Sequence, residues 1–332
     1  MTGGMTDNDS EHPVDAAAGH IPVMLDEVMD WIAPRPGGRY LDATLGLGGH
    51  AGRIMELTSG GARLLGLDRD RQALDAARAR LAPYGERVVT AHMSFRFFES
   101  ALAEAGWDAV DGVIADLGVS SLQLDSAERG FSFVHDGPLD MHMDPDSGAE
   151  PAANIVNTAS CERLKKLIWE YGEEPLAGRI ARAVVAAREE KKIETTLELA
   201  RIVAAAYPAR RRALARNHPA TRTFQALRIA VNRELEEIET FLGRVIDFLR
   251  PGGRVAVISF HSLEDRIVKR IFRRESTDCL CPWEYPVCRC GHARKLILPM
   301  RKPLVPGVGE MRRNSRSRSA KLRVAERVGK ES

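Results

Sequence analysis

Leu41-Asp42-Ala43-Thr44-Leu45-Gly46-Leu47-Gly48-Gly49-His50 decides how the rest of this 332-residue chain is read. It reads as a buried strand running into a glycine-rich turn that opens a helix. A second apolar run, Ala62 to Leu67, ends at Asp68, twenty positions after Gly48. A strand, a glycine turn and an acid at the end of the next strand hold the ribose and backbone of a nucleotide-like cofactor in a doubly wound α/β sheet. Gly46, Gly48 and Ala51 also fit the dinucleotide pattern G-x-G-x-x-G/A. The loop alone therefore indicates a cofactor enzyme, and an NAD-linked oxidoreductase stays open at this point.

Outward from the loop, the pattern repeats. Strand-like runs fall at Arg39–Thr44, Ala62–Leu67, Val88–His92 and Val110–Asp116. Helical periodicity separates them at Gly49–Leu57, Arg71–Leu81 and Phe97–Ala105. Such alternation builds right-handed βαβ units and a parallel sheet. It then stops. From about Ser126 to Pro219 no strand pattern stands out, and helices are expected at Cys161–Tyr171, Pro175–Glu190 and Thr196–Ala206, the last capped by Thr195. A long helix, about Arg222 to Leu249, leads into the turn Pro251-Gly252-Gly253 and a strand at Arg254–Phe260, and a last strand is expected at Ala320–Val324. The expected organisation is a polar tail over 1–19, a first α/β part over 20–125, an all-helical insertion for substrate recognition over 126–219, a second α/β part over 220–326 with a cysteine-rich loop at 279–292, and a tail over 327–332.

The composition, 44% hydrophobic and 28% charged, is that of a soluble globular chain. No run of about eighteen apolar residues exists, so no membrane is expected as a partner. The first twenty residues are polar and acidic, unlike a signal or transit peptide. Of five cysteines, four are crowded together, which does not suit a secreted disulfide framework. A cytoplasmic location is the expectation. Net charge is only +2, yet positive charge is segregated. Pro208 to Arg233 holds seven arginines and no acid, and Arg289 to Arg323 holds eleven Lys/Arg against Glu310 alone. Such stretches suit a polyanionic partner, or equally a pair of solvated faces.

Three acids, Asp42, Asp68 and Asp116, fall at or near the carboxyl ends of expected strands, where such sheets bind ligands. Several carboxylates converging there would repel a pyrophosphate. S-adenosylmethionine has no phosphate. It carries a cationic sulfonium and ammonium, and a ribose diol that one carboxylate can accept through two hydrogen bonds. Acids at successive strand ends thus favour a methyl donor over NAD, although a lone strand-end Asp is more often a cap or turn residue.

The block Asp116-Leu-Gly-Val-Ser-Ser-Leu-Gln-Leu-Asp125 leads into Glu128-Arg-Gly-Phe-Ser-Phe133 and Gly137-Pro-Leu-Asp-Met-His-Met-Asp144. It resembles the bacterial small-subunit ribosomal RNA cytosine-N4 methyltransferases, the RsmH or MraW family. So do His20-Ile-Pro-Val-Met-Leu25, Gly46–His50, Tyr171-Gly-Glu-Glu174, His218-Pro-Ala-Thr-Arg-Thr-Phe-Gln225, Val231-Asn-Arg-Glu-Leu-Glu236 and Ile258-Ser-Phe-His-Ser-Leu-Glu-Asp-Arg-Ile-Val-Lys269, so that the resemblance spans about residues 20 to 326. It implies a class I, Rossmann-like, adenosylmethionine-dependent methyltransferase with a helical insertion. The implied activity is methylation of the exocyclic N4 of a cytidine in the decoding region of 16S ribosomal RNA, in the naked RNA or in the small ribosomal subunit. Gly48, Gly49 and His50 match the family's cofactor loop, Asp68 its ribose-binding acid, Phe95 an aromatic beside the adenine, and Asp116 and Gln123 further cofactor contacts. From the residues alone Phe95 serves as well as a core aromatic. A non-catalytic RNA-binding ribosome-assembly factor would suit the basic stretches but leaves the glycine loop and strand-end acids unexplained. An oligomer is compatible with the sequence.

Methylating an exocyclic amine needs in-line placement against the sulfonium and an acceptor for an N–H. Amino-group methyltransferases often carry Asp/Asn-Pro-Pro-aromatic after the fourth strand; this chain has Asp116-Leu-Gly-Val-Ser-Ser121 there and no Pro-Pro anywhere. Asp116 and Asp140 are the candidate acceptors, against the simpler readings that Asp116 only binds cofactor and Asp140 only fixes its loop. Arg210, Arg211, Arg212, Arg216, His218, Arg222 and Arg228 are candidate phosphate contacts. Cys279-Leu-Cys281 and Cys288-Arg-Cys290-Gly-His292 hold enough ligands for zinc. C-x-C is tighter than the usual C-x-x-C, so free thiols are favoured and no metal is assigned. Cys161 is expected in the core.

Overall fold

A computed structural model describes residues 22–329 apart from Arg216 and Pro286. The expected tail over 1–19, the first two residues of His20–Leu25, the last residues of the expected tail over 327–332, and Arg216 therefore lie outside the described residues. A seven-stranded sheet organises the rest, in the order β3-β2-β1-β4-β5-β7-β6. The strands are β1 (Arg39–Asp42), β2 (Arg63–Asp68), β3 (Val88–His92), β4 (Val110–Asp116), β5 (Leu249–Ser259), β6 (Leu296–Ile297) and β7 (Lys321–Arg327). The first five run parallel, β7 is antiparallel to β5, and the two-residue β6 pairs antiparallel with β7. Pro251-Gly252-Gly253, expected as a turn before β5, lies within that strand beside a register shift against β4.

Alternation within each strand builds two cores. Leu41, Leu65, Val113 and Val257 face one layer, against Phe98, Phe241 and Phe272. Tyr40, Leu64, Ile114 and Ala256 face the other, against Val28, Ile54 and Leu74. β4 lies in the middle of the sheet and is buried along its length except at Asp116, as a near-continuous apolar run requires when helices cover both faces.

A third core is built by helices and the loops that join them. Ala152–Thr158, Cys161–Gly172, Ala177–Glu190, Thr196–Ala206 and Thr221–Asn232 pack around Ile155, Ile168, Ile180, Val203 and Phe224, and Cys161 sits partly buried at its edge. The expected long helix over 222–249 is in fact two, Thr221–Asn232 and Glu234–Val245, separated by Arg233 at φ 51°. The first packs into the helical core through Phe224, Leu227 and Val231. The second packs on the sheet through Ile238, Phe241, Leu242 and Val245. The break is where the chain crosses between cores, so the helical core runs to Asn232, past the expected boundary at 219. Both segments keep helical periodicity and no Gly or Pro marks the join, which hid it in the sequence. Asn232 pins the corner, donating to the carbonyls of Met141 and Arg228 and accepting from the Met143 N–H.

Candidate active site

β1 is flanked by β2 on one side and β4 on the other, so the sheet's switch point lies between β1 and β4. Ligands of open α/β sheets bind outside the carboxyl ends of the strands at that point. A cavity of about 490 Å³ opens there, lined among others by Gly46, Asp68, Phe95, Asp116 and Gln123.

The glycine loop is built by backbone geometry. Gly46 and Gly48 have φ of 51° and 72°, a left-handed conformation open to glycine. The Gly46 N–H donates to Asp68 Oδ2 at 2.7 Å, which ties the loop to the end of β2. The Asp70 N–H donates to Asp68 Oδ1 at 2.8 Å. Burial raises the Asp68 pKa and these two hydrogen bonds oppose the rise. Each oxygen keeps further acceptor capacity, which is what a ribose diol needs.

The loop's other predicted residues divide. Gly49 and His50 line the cavity, and both also hold the Pro22-Val23 segment over it. A Cβ at Gly49 would overlap the Pro22 ring, and His50 Nε2 meets the Val23 carbonyl at 3.1 Å. Gly48 does not line the cavity; its Cα faces Ala77 and Leu81 of helix Arg71–Leu81. Asp42 is also outside the lining. Its carboxyl is 2% exposed, accepts the Thr44 N–H and is pushed up to about 7 by burial.

Phe95 presents a ring to the cavity, edge-on to Phe241 at 5.2 Å, with the Arg69 guanidinium 5.9 Å from its centroid. That is an aromatic face set for a planar base. Gln123 is nearly fully engaged: its Oε1 accepts the Ser120 N–H and its Nε2 donates to Asp70 Oδ2 at 2.8 Å. Its first job is to lock helix Ser121–Asp125 against Asp70.

Asp116 is the chemically exposed group. Its N–H donates to Thr44 Oγ1 at 2.6 Å, fixing the backbone. Its Oδ1 is buried and has no hydrogen-bond partner among the described residues. Burial pushes its pKa well up, and the charges of Asp42, Glu264 and Glu310 add to the rise. An orphaned carboxylate oxygen in a negative field is satisfied by a cation or an N–H donor, and it opposes an anion.

Asp140 is not brought to the cavity. Its Oδ1 accepts from the His142 N–H and lies 3.0 Å from His142 Nδ1, while its carbonyl accepts from the Ala152 N–H. These contacts shape its loop, and Asp140 is not among the residues lining the cavity where the catalytic expectation would need it. Arg129, which sequence reasoning passed over, is the key of that loop. It is buried, donates to Asp70 Oδ2 at 2.7 Å and to the carbonyls of His142 and Met143, and so joins the Glu128–Phe133 and Gly137–Asp144 segments to the sheet.

Three further residues, Arg228, Glu234 and Glu264, line the cavity. Arg228 and Glu234 form a two-pronged ion pair at 2.8 and 2.9 Å. Glu264, with no exposed surface, accepts the Phe260 and His261 N–H groups and lies 3.1 Å from His261 Nε2. Burial alone would raise the Glu264 pKa, but the His261 ring, Arg228 and the backbone donors outweigh it and hold the carboxylate ionised. Glu234 stands in the segment 231–236 and His261 and Glu264 in 258–269, while Arg228, expected from the sequence to contact phosphate, is instead committed to its ion pair with Glu234.

The cavity opens beside the arginine-rich stretch, since Asn217, Thr221 and Gln225 also line it. Arg210, Arg211 and Arg212 project from the short exposed helix Ala209–Ala213. Arg222 is partly spoken for, donating to the Glu173 carbonyl and lying 3.7 Å from Glu174. His218 stacks on Phe133 at 4.7 Å and accepts the Ala220 N–H, so it braces the rim.

A switch-point cavity with this acid lining suits a cationic donor and repels a pyrophosphate, which places the chain among the S-adenosylmethionine-dependent methyltransferases and apart from NAD-linked oxidoreductases. The residues fit that donor: Asp68 for the ribose, Phe95 for the adenine, Asp116 for positive charge. The sequence profile of the MraW methylase family matches residues 17–328. A ribosomal RNA small subunit methyltransferase H from Maridesulfovibrio salexigens is 60% identical over 312 residues, 94% of this chain and 96% of that one. Proteins of the same name from Oleidesulfovibrio alaskensis and Geobacter sp. strain M21 are 56% and 52% identical, covering 97% and 93% of this chain and 99% and 98% of their own. The chain belongs to the MraW methylase family; it is a methyltransferase, and S-adenosylmethionine is its methyl donor.

Proposed function

We propose that the enzyme methylates the exocyclic N4 of one cytidine in the decoding region of 16S ribosomal RNA, working in the cytoplasm on the small subunit or its RNA. The observation that carries this is the unpaired Asp116 Oδ1 in a cavity that Asn217, Thr221 and Gln225 of the acid-free arginine-rich stretch help to line. The names of the relatives support ribosomal RNA as the substrate. Among the described residues no helix is long and apolar enough to cross a membrane.

When bound, the donor supplies an electrophilic methyl group on a sulfonium. The cytosine N4 lone pair is delocalised into its ring, so the protein must align the amine and draw on one of its N–H bonds as the nitrogen pyramidalises. Asp116 Oδ1 would accept that hydrogen, taking the proton N4 gives up as its lone pair bonds the methyl carbon and the S–CH3 electron pair departs with the sulfur as a neutral thioether. Its raised pKa makes it a stronger base than an ordinary Asp. A cytidine in folded RNA reaches the cavity only if splayed from its stack. Arg210, Arg211 and Arg212 would grip the flanking phosphates, with Arg222 and His218 shaping the rim. Labelled methyl transfer onto small subunits and naked 16S RNA from a strain lacking this enzyme tests the substrate. Label in 16S RNA is expected; none on either form overturns the proposal.

A further inference from the structure

Between helix Ser262–Glu275 and β6 the chain forms a lobe, residues 279–292, that has no apolar core of its own among the described residues. Leu280, Trp283, Tyr285 and Val287 are exposed, Trp283 by 91%. So short a segment cannot bury enough apolar area to order itself. Its cysteine sulfurs nonetheless converge. Cys279 Sγ lies 3.4 Å from Cys288 Sγ and 3.8 Å from Cys290 Sγ, and Cys288 Sγ lies 3.6 Å from Cys290 Sγ. With Cys281, all four sulfurs fall within 4.8 Å of one another.

These separations discriminate. All four cysteines are free thiols, spaced too widely to be bonded in pairs. A tetrahedral ion with metal–sulfur bonds of about 2.3 Å would space its sulfurs about 3.8 Å apart. Backbone amides complete the picture: the Leu280 N–H points to Cys290 Sγ at 3.3 Å, the Cys281 N–H to Cys279 Sγ at 3.3 Å, and the Arg289 N–H to Cys281 Sγ at 3.2 Å. Such donors around sulfur favour the thiolate that a metal needs.

We propose that Cys279, Cys281, Cys288 and Cys290 form a structural tetrathiolate zinc site that stands in for the lobe's missing core. Thiolates are soft ligands, which select zinc over magnesium or calcium. Four protein ligands leave no open position for a water or substrate, so the site is structural. None of the four lines the methyl-donor cavity. The tight C-x-C spacing had argued for free thiols in the sequence. In the structure the two C-x-C pairs face each other across the lobe, and it is the approach of the pairs that sets the tetrahedron. His292 is left out of the ligand set. Its Nε2 meets the Arg274 carbonyl at 3.0 Å and ties the lobe to the end of helix Ser262–Glu275.

The test is elemental analysis of the full-length, untagged protein purified under reducing conditions without added metal. About one zinc per chain is expected, released together with four reactive thiols by an organomercurial. Cobalt exchanged into the wild-type protein is expected to show the absorption of a tetrahedral tetrathiolate. In the double variant Cys281→Ser, Cys288→Ser the metal is lost while adenosylmethionine binding persists, which separates loss of metal from loss of fold. Should that variant not fold, the wild-type zinc content and cobalt spectrum still decide. Substoichiometric zinc with four freely reactive thiols, or a cobalt spectrum without thiolate ligation, overturns the proposal.

Discussion

Asp116→Asn is expected to make the ligand-free protein more stable and the enzyme worse. The wild-type carboxyl has a buried, unpartnered Oδ1, and burial followed by the charges of Asp42, Glu264 and Glu310 raises its pKa well above the usual range. An acid whose folded pKa is raised contributes stability below its unfolded pKa and loses it as pH rises through the folded value. At neutral pH the wild type therefore carries a penalty that the amide does not. Burying an ionised carboxylate unpaired costs about 1–3 kcal/mol more than burying the neutral amide of the same shape. Unfolding entropy scales with length, so for 332 residues each kcal/mol moves Tm by about 1.5 °C. The ligand-free variant should melt about 2–4 °C higher. The same change removes a charge-assisted contact to the donor, about 1.5–3 kcal/mol, or roughly 10- to 150-fold in affinity. Thermal scans with and without saturating adenosylmethionine, paired with calorimetric titration, read both effects. A variant that is less stable when ligand-free yet binds the donor as tightly as wild type would refute the reasoning.

Other outcomes follow from single observations. Asp42 has a folded pKa of about 7 against 3.8 unfolded, so its contribution is full below about pH 4 and lost as pH rises through 7. Urea unfolding should show wild type gaining roughly 3 kcal/mol on Asp42→Asn between pH 8 and pH 5; a gap that does not change with pH counts against the buried acid. Replacing Arg210, Arg211 and Arg212 together by Gln should weaken RNA binding broadly and make the salt slope shallower by about two. An unchanged slope would leave these arginines as a solvated face. Arg233→Gly removes a left-handed non-glycine residue between two helices and should stabilise by about 0.5–1 kcal/mol in urea, after the entropy that glycine adds to the unfolded chain; destabilisation would mean the Arg233 side chain holds the corner.

Much of the sheet was legible because period-2 alternation and glycine turns are local signals. β3 and β4 fall where the sequence places them, and β1, β2 and β7 differ only at their ends. The break at Arg233 was not legible, since it answers to two separate cores and leaves the helical period intact. β6 has two residues, too few for any period to show. Asp68, Phe95 and Asp116 all line the cavity, and strand ends and family motifs mark them in the sequence. For Asp140, nearness in sequence to a motif did not give direction; its carboxyl turns to His142 and away from the cavity lining. Arg129 meets Asp70 across 59 positions of sequence, and the Arg228–Glu234 pair meets Glu264 at the cavity from a separate stretch, so their chemistry exists only in the folded chain. The cysteines show the converse: spacing along the chain argued against a metal, and spacing between facing pairs argues for one.

The central claim is that this cavity delivers a methyl group to a cytosine amine. It is tested most directly by digesting 16S RNA methylated by the wild-type enzyme to nucleosides and identifying the labelled one by mass and chromatography. The account predicts N4-methylcytidine, from one site in the decoding region, with a single-turnover rate that collapses in Asp116→Asn even at saturating donor. Label on a ring carbon, on a ribose oxygen or on another base would contradict it.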